Sequence, residues 1–208
     1  MCGTIQFIPL GAECAGQLPP RPLTVASNFL QHIVAQQQKP RSPSRRAIGI
    51  VTFPILFLAL VTGIPLLLYG KLDAALGLPI ILMPPLNLYP GAILFAAGAS
   101  LYTWTILLFA RIGRGTQVPI VPTQRLVTSD PFAYSRNPMV SGVILLITGL
   151  GLLVNSYGFI AIGLVIPLSY LIFIKLVEEK ELAARFGEEY RQYKRRVPFL
   201  IPAFRKKM

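Results

Sequence analysis

The chain has 208 residues, of which 53% are hydrophobic and only 13% charged, with a formal net charge of +12 and a mean hydropathy of +0.60. A water-soluble domain carries about 25% charged residues, so this composition excludes an ordinary soluble protein. It also argues against a nucleic-acid binder. The Lys and Arg residues fall before residue 47, in 111–136 and after residue 174, with only Lys71 between the first two apolar runs, which is the one-sided bias of the positive-inside rule.

Residues 1–46 hold Pro19, Pro20, Pro22, a glutamine run and "KPRSPSRR", and read as a mobile basic tail. The tail lacks the pattern of a secretory signal. Cys2 and Cys14 have neither zinc-clip nor redox-pair spacing, and a reducing compartment would keep them as thiols. His32 is the single histidine, so neither a Ser-His-Asp arrangement nor a His-rich metal site can be assembled. Only eight acids are present, five of them after residue 177. That makes a carboxylate metal cage improbable too, and no metal is expected.

Residues 47–70, 74–110 and 137–174 contain no Asp, Glu, Lys or Arg. About 20 apolar residues span a bilayer as a helix. The first span is expected from Ala47 to Tyr69, with Pro54 and Pro65 tolerated inside it. Residues 70–90, with "LGLPIILMPPLNLYP", are too proline-broken for a straight helix and read as an interfacial connection. The second span runs from Gly91 to Ala110, where Gly91, Ala96, Ala97, Gly98, Ala99 and Ser100 offer small residues for close helix packing. The stretch 137–174 is too long for one span and divides at "NSYG", residues 155–158, into two helices joined by a turn.

The expected architecture is therefore all-α and polytopic: about four transmembrane helices, both termini cytoplasmic, and a C-terminal amphipathic helix. No oligomeric state can be read from the sequence. In that last helix Leu182, Phe186, Tyr190, Tyr193 and Val197 share one face and Arg185, Glu188, Arg191 and Arg195 the other. Gly187 between them permits a bend. The chain divides into a tail at 1–46, two membrane helices with a proline-rich connection at 47–110, and a region at 111–208 that carries the chemistry.

Two features hold reactive side chains on the same predicted side: the loop from Gly115 to Pro138, and the pair Glu178–Glu179. By spacing alone the loop is either a solvated connector or a folded site, and the pair either the head of a surface helix or part of that site. The loop is long for a helix connection. It contains apolar and aromatic residues, among them Val127, Phe132 and Tyr134, and Asn137-Pro138 starts the following helix with its amides turned toward the loop.

"LVTSDPFAYSRNPMVSG" followed by "EEKELAARFGEEYRQYKRRVPFLIP" resembles the isoprenylcysteine carboxyl methyltransferase family and its phospholipid methyltransferase-like relatives, over residues 115–202. The resemblance implies an integral membrane methyltransferase that uses S-adenosylmethionine without a Rossmann domain and methylates a lipophilic acceptor, prenylcysteine-like or lipid, at the cytoplasmic face. It carries cofactor contacts onto Gln117, Gln124, Arg125, Leu126, Val127, Phe132, Asn137, Pro138, Met139, Val140 and Glu178. Glu178, Glu179 and Arg136 become the catalytic candidates, with Arg136 orienting an anionic group of the acceptor or anchoring a helix start.

The chain departs from the family pattern at several positions. Gln124 and Asn137 stand where many members have His, Val140 where they have Tyr, and Asp130 where they have Gly; an Arg one turn before the Glu is replaced by Ile174. A carboxylate acceptor needs no base, whereas an amine or hydroxyl does, and Glu178, Glu179 and Tyr134 are the nearby groups. The acceptor is expected to reach the site between the third and fourth spans. An NADPH-dependent membrane reductase of the sterol type and a non-catalytic scaffold are the alternatives.

Overall fold

The computed structural model describes residues 43–113 and 125–202, with side chains from Thr52 onward. The described residues form an all-α structure without strands. Helix α1 spans Pro43–Leu76, α2 Leu88–Leu108, α3 Pro138–Leu153, α4 Tyr157–Phe173 and α5 Glu179–Arg196. A π-helical turn at Phe109–Gly113 prolongs α2, and another at Ile174–Glu178 joins α4 to α5. A short 3-10 turn, Asp130–Ala133, lies in the segment before α3.

Three helical runs are long and apolar enough to cross a membrane: Thr52–Leu76, Leu88–Ile112 and Tyr157–Arg196, while Pro138–Leu153 is a shorter apolar helix. In the 40-residue third run charges begin at Lys175, so its membrane portion ends at Ile174 and α5 lies beyond it. Large apolar side chains on α1, α2 and α4 face outward, Leu67, Ile93 and Val165 among them, as lipid contact allows.

Helices α2 and α3 pack backbone to backbone. A Cβ at Gly98 would lie 2.4 Å from Leu146 N, and one at Gly149 would lie 2.3 Å from Phe95 N. Gly91 and Gly142 complete the contact, so glycines seven residues apart on each helix mesh. Ala96, Ala97 and Ser100, expected to join this seam, face outward instead, because only the seven-residue repeat keeps to one face. Tyr102, 4% exposed, donates its hydroxyl to Pro54 O at 2.8 Å and ties α2 to α1.

The end away from the site is closed by four polar side chains. Helix α1 continues past Tyr69, where the first span was expected to stop, to Leu76. The extension places Asp73 against the start of α4. Its Oδ1 accepts from Gly158 N at 2.8 Å, and Ser156 Oγ donates to its Oδ2. Ser156 Oγ in turn accepts from Phe159 N at 2.9 Å, capping α4. Asn155, at φ 58, accepts from Ile81 N and Leu82 N at 2.9 and 3.0 Å. Asn87 Nδ2 donates to Leu152 O and Leu153 O, at 3.0 and 3.2 Å, satisfying carbonyls at the end of α3. The turn falls where "NSYG" placed it.

Candidate functional site

At the other end the segment 125–137 folds onto the core rather than projecting from it. Val127 and Phe132 are 5% and 3% exposed and pack in the main cluster with Phe109, Met139 and Val143. The rings of Phe109 and Phe132 meet edge to face at 5.0 Å. Apolar residues within a polar loop thus anchor it, and the solvated-connector alternative does not describe it.

The polar atoms of this segment find partners in the stretch after α5. Arg136 N donates to Pro198 O at 2.9 Å, and Ser135 Oγ to Leu200 O at 2.8 Å. Asn137 Nδ2 donates to Phe199 O at 2.8 Å, while Tyr193 Oη reaches back to Phe132 O at 2.8 Å. Donors from the segment meet successive backbone carbonyls, with Val197 O taking Arg136 Nε at 3.1 Å. The role of 197–200 was the part of the site the sequence reading left out. Irregular backbone carries no side-chain signal for which carbonyl it will offer.

Arg136 lies at the centre. Its guanidinium pairs with Glu179 and stacks over the Phe199 ring at 5.4 Å. Lys194 Nζ takes the other Glu179 oxygen at 2.6 Å. Burial, with the Glu179 carboxylate beside it, pushes the Tyr190 hydroxyl up to about 12, so Tyr190 stays neutral. Arg136 and Glu179, both catalytic candidates, are committed to one another as a brace between the loop and α5.

Glu178 differs from its neighbour. It is 7% exposed, makes no ion pair among the described residues, and accepts a hydrogen bond from Tyr170 Oη at 3.4 Å. It lies beyond the membrane portion of the run. Burial first, and Glu181 second, push its carboxyl up to about 8. A cation or hydroxyl brought against it would compensate that desolvation.

The start of α3 offers complementary chemistry. Asn137 makes no side-chain capping bond to the helix, its amide being turned to Phe199 instead. The first-turn N–H groups therefore lack a side-chain acceptor, the condition under which a helix start favours an anion. Pro138, Met139 and Val140 are buried there. Of the remaining cofactor candidates, Leu126 is half-buried and Arg125 exposed, while Gln117 and Gln124 lie outside the described residues.

A cavity of about 610 Å³ opens beside this segment, walled by Leu101 and Trp104 of α2, Asp130 and Tyr134 of the loop, and Pro138 and Ser141 of α3. It lies at the second and third helices.

A family model described as phospholipid methyltransferase matches residues 86–189, half of the chain, from just before α2 into α5. No curated protein matches it significantly.

Proposed function

The chain belongs to the phospholipid methyltransferase family, and from that premise we propose that it is an integral membrane, S-adenosylmethionine-dependent methyltransferase of the isoprenylcysteine carboxyl methyltransferase-like kind. It acts on a lipophilic acceptor at the cytoplasmic membrane face. The observation that carries this reading is the division of labour between the two glutamates. Glu179 takes both Arg136 and Lys194, which leaves Glu178 buried beside them with a hydroxyl donor.

The donor set fits the cofactor. Its amino-acid part carries an ammonium and a carboxylate, and the site offers the buried Glu178 carboxyl, whose ionised form an ammonium would favour, and an uncapped helix start at Met139–Val140. Val127, Phe132 and Met139 supply an apolar wall for a flat base. When bound, the cofactor supplies a methyl group on a cationic sulfur. The residues of the chain hold and orient the two partners and exclude water, which is where much of the acceleration of a displacement originates. Arg136 and Glu179 act as positioning residues, through the loop they brace.

Calorimetry on the detergent-purified chain tests the reading. S-adenosylmethionine is expected to bind saturably, NADPH not at all, and Glu178→Gln to weaken the first by about tenfold. Binding of NADPH in place of S-adenosylmethionine would support the sterol-type reductase and refute the methyltransferase.

A further inference from the structure

Helix α4 carries a hydroxyl to the buried glutamate. Tyr170 Oη donates to Glu178 Oε2 at 3.4 Å, across a separation of 8 residues. An unbroken α-helix would carry residue 178 about 80° around the axis from residue 170. The π turn at Ile174–Glu178 closes its hydrogen bonds over one more residue and takes back much of that angle. Ile174, between the two, is 2% exposed and offers no polar group. The turn thus brings a phenol at the end of the membrane portion to a carboxyl that lies beyond it.

The phenol is held by its ring. Tyr170 stacks on Phe173 at 5.9 Å and meets Phe57 of α1 at 6.1 Å, and Phe57 in turn stacks on Phe53 at 6.3 Å. Rings packed from two helices fix where the hydroxyl stands. A ring needed only for packing would be served by phenylalanine, as it is at positions 53, 57 and 173. The hydroxyl is what distinguishes Tyr170, and its partner is the Glu178 carboxyl.

The other titratable and charged groups that face Glu178 come from α5. Burial first and Glu181 second raise its carboxyl, the Tyr170 hydrogen bond lowers it, Glu179 raises it and Arg185 lowers it. Tyr190 is within electrostatic reach. Arg185 pairs with Glu181 at 3.1 Å, and Glu179 with Arg136 and Lys194. The hydroxyl therefore works against burial, since a donor favours the ionised carboxylate. Its distance leaves room to tighten, because an O–H donor closes to ~2.5–2.7 Å on an ionised acceptor.

We infer that Tyr170 is a positioning residue for the cofactor: its hydroxyl orients Glu178 and stabilises the ionised carboxylate with which the cofactor's ammonium pairs. This deepens the methyltransferase reading and rests on it for the identity of the ligand, though not for the coupling of Tyr170 to Glu178.

The test is calorimetry of the full chain in neutral detergent with S-adenosylmethionine over a range of pH, beside thermal melts without ligand. Tyr170→Phe keeps the ring and its stacking. It should weaken S-adenosylmethionine about tenfold at about pH 6.5, and the gap should narrow as pH rises to about 9, where the carboxyl ionises with less help. The cofactor's own ammonium titrates alike with both proteins, so the ratio of affinities is the readout. Glu178→Gln has no carboxyl proton to lose, so adding Tyr170→Phe to it should change affinity by less than about twofold at any pH. In the ligand-free chain the folded Glu178 keeps its proton to about 8, and stability is lost as pH rises through that value. Tyr170→Phe should carry this decline of the apparent Tm about one pH unit higher. An affinity gap of one size at every pH, an equal loss in the Glu178→Gln background, or a melt profile that does not move would each overturn the inference. A shifted melt profile with no binding of S-adenosylmethionine to the wild-type chain strikes the methyltransferase reading and leaves the coupling standing. Saturable binding with a constant gap strikes this inference alone.

Discussion

Two adjacent glutamates with the same intrinsic chemistry end in different surroundings. Glu179 is paired with Arg136 and Lys194, while burial and Glu181 raise the Glu178 carboxyl to about 8. The sign of the linkage follows. The unfolded group loses its proton near 4.5, whereas the folded group keeps it to about 8, so in that window the folded chain holds the extra proton and stability falls as pH rises. The wild-type protein without ligand should therefore show a declining apparent Tm from pH 5 to pH 8, amounting to a few kcal/mol on the order-of-magnitude scale. Glu178→Gln should flatten the decline; an equally steep profile in the variant would place the titrating group elsewhere. At Arg136 the expectation concerns structure: Arg136→Ala leaves Glu179 with Lys194 alone and the Val197 carbonyl without its side-chain donor, at a cost of about 3 kcal/mol. Arg136→Lys should recover only part of it, since an ammonium cannot reproduce the guanidinium fork, and thermal melts of the two variants read the difference.

At the scale of the element, the α2–α3 seam depends on the absence of side chains. A Cβ on Gly98 would fall 2.4 Å from Leu146 N and 2.7 Å from Gly142 O, and backbone cannot step aside as a side-chain tip can. Gly98→Ala should cost about 3 kcal/mol through forced separation of the helices, while Gly63→Ala, with open space around it, should be neutral or slightly stabilising; equal melting of the two variants would contradict the packing. Asp73→Ala should lower stability by about 1 kcal/mol through loss of the α4 cap. These elements differ in how far they could be foreseen. The uncharged runs marked the helices and "NSYG" marked the turn, because both signals are local and follow from composition. The seam was half legible: small residues were visible, but the choice of Gly91 and Gly98 over Ala96 and Ala97 depends on which face meets α3. Asp73 was not legible at all, since a charge at the end of an apolar run looks like the end of a span until its partner, 83 residues away, is in place.

For the whole molecule, the candidate site is assembled from segments far apart in sequence. The loop before α3, the glutamate pair after α4 and the backbone after α5 meet at one end of the helices, and the contacts among them are polar. Asn137 and Glu178 could be singled out from motifs, but the surface holding them could not, because Val197, Pro198, Phe199 and Leu200 contribute carbonyls that any sequence would possess. The family match ends at residue 189, before this stretch begins, while the apolar seam of α2 and α3 lies wholly inside it. Packing of the helices should therefore survive loss of the terminal stretch, and the folded loop should not. Removing residues 197–208 deprives Ser135, Arg136 and Asn137 of their acceptors together, and buried donors without acceptors cost about 1–3 kcal/mol each. The truncated chain should keep its helical circular dichroism yet lose S-adenosylmethionine binding and gain protease sensitivity between residues 125 and 137. Retained binding would show that the loop holds its shape through Val127 and Phe132 alone, so that the carbonyl row after α5 is a consequence of the folded site and not its support.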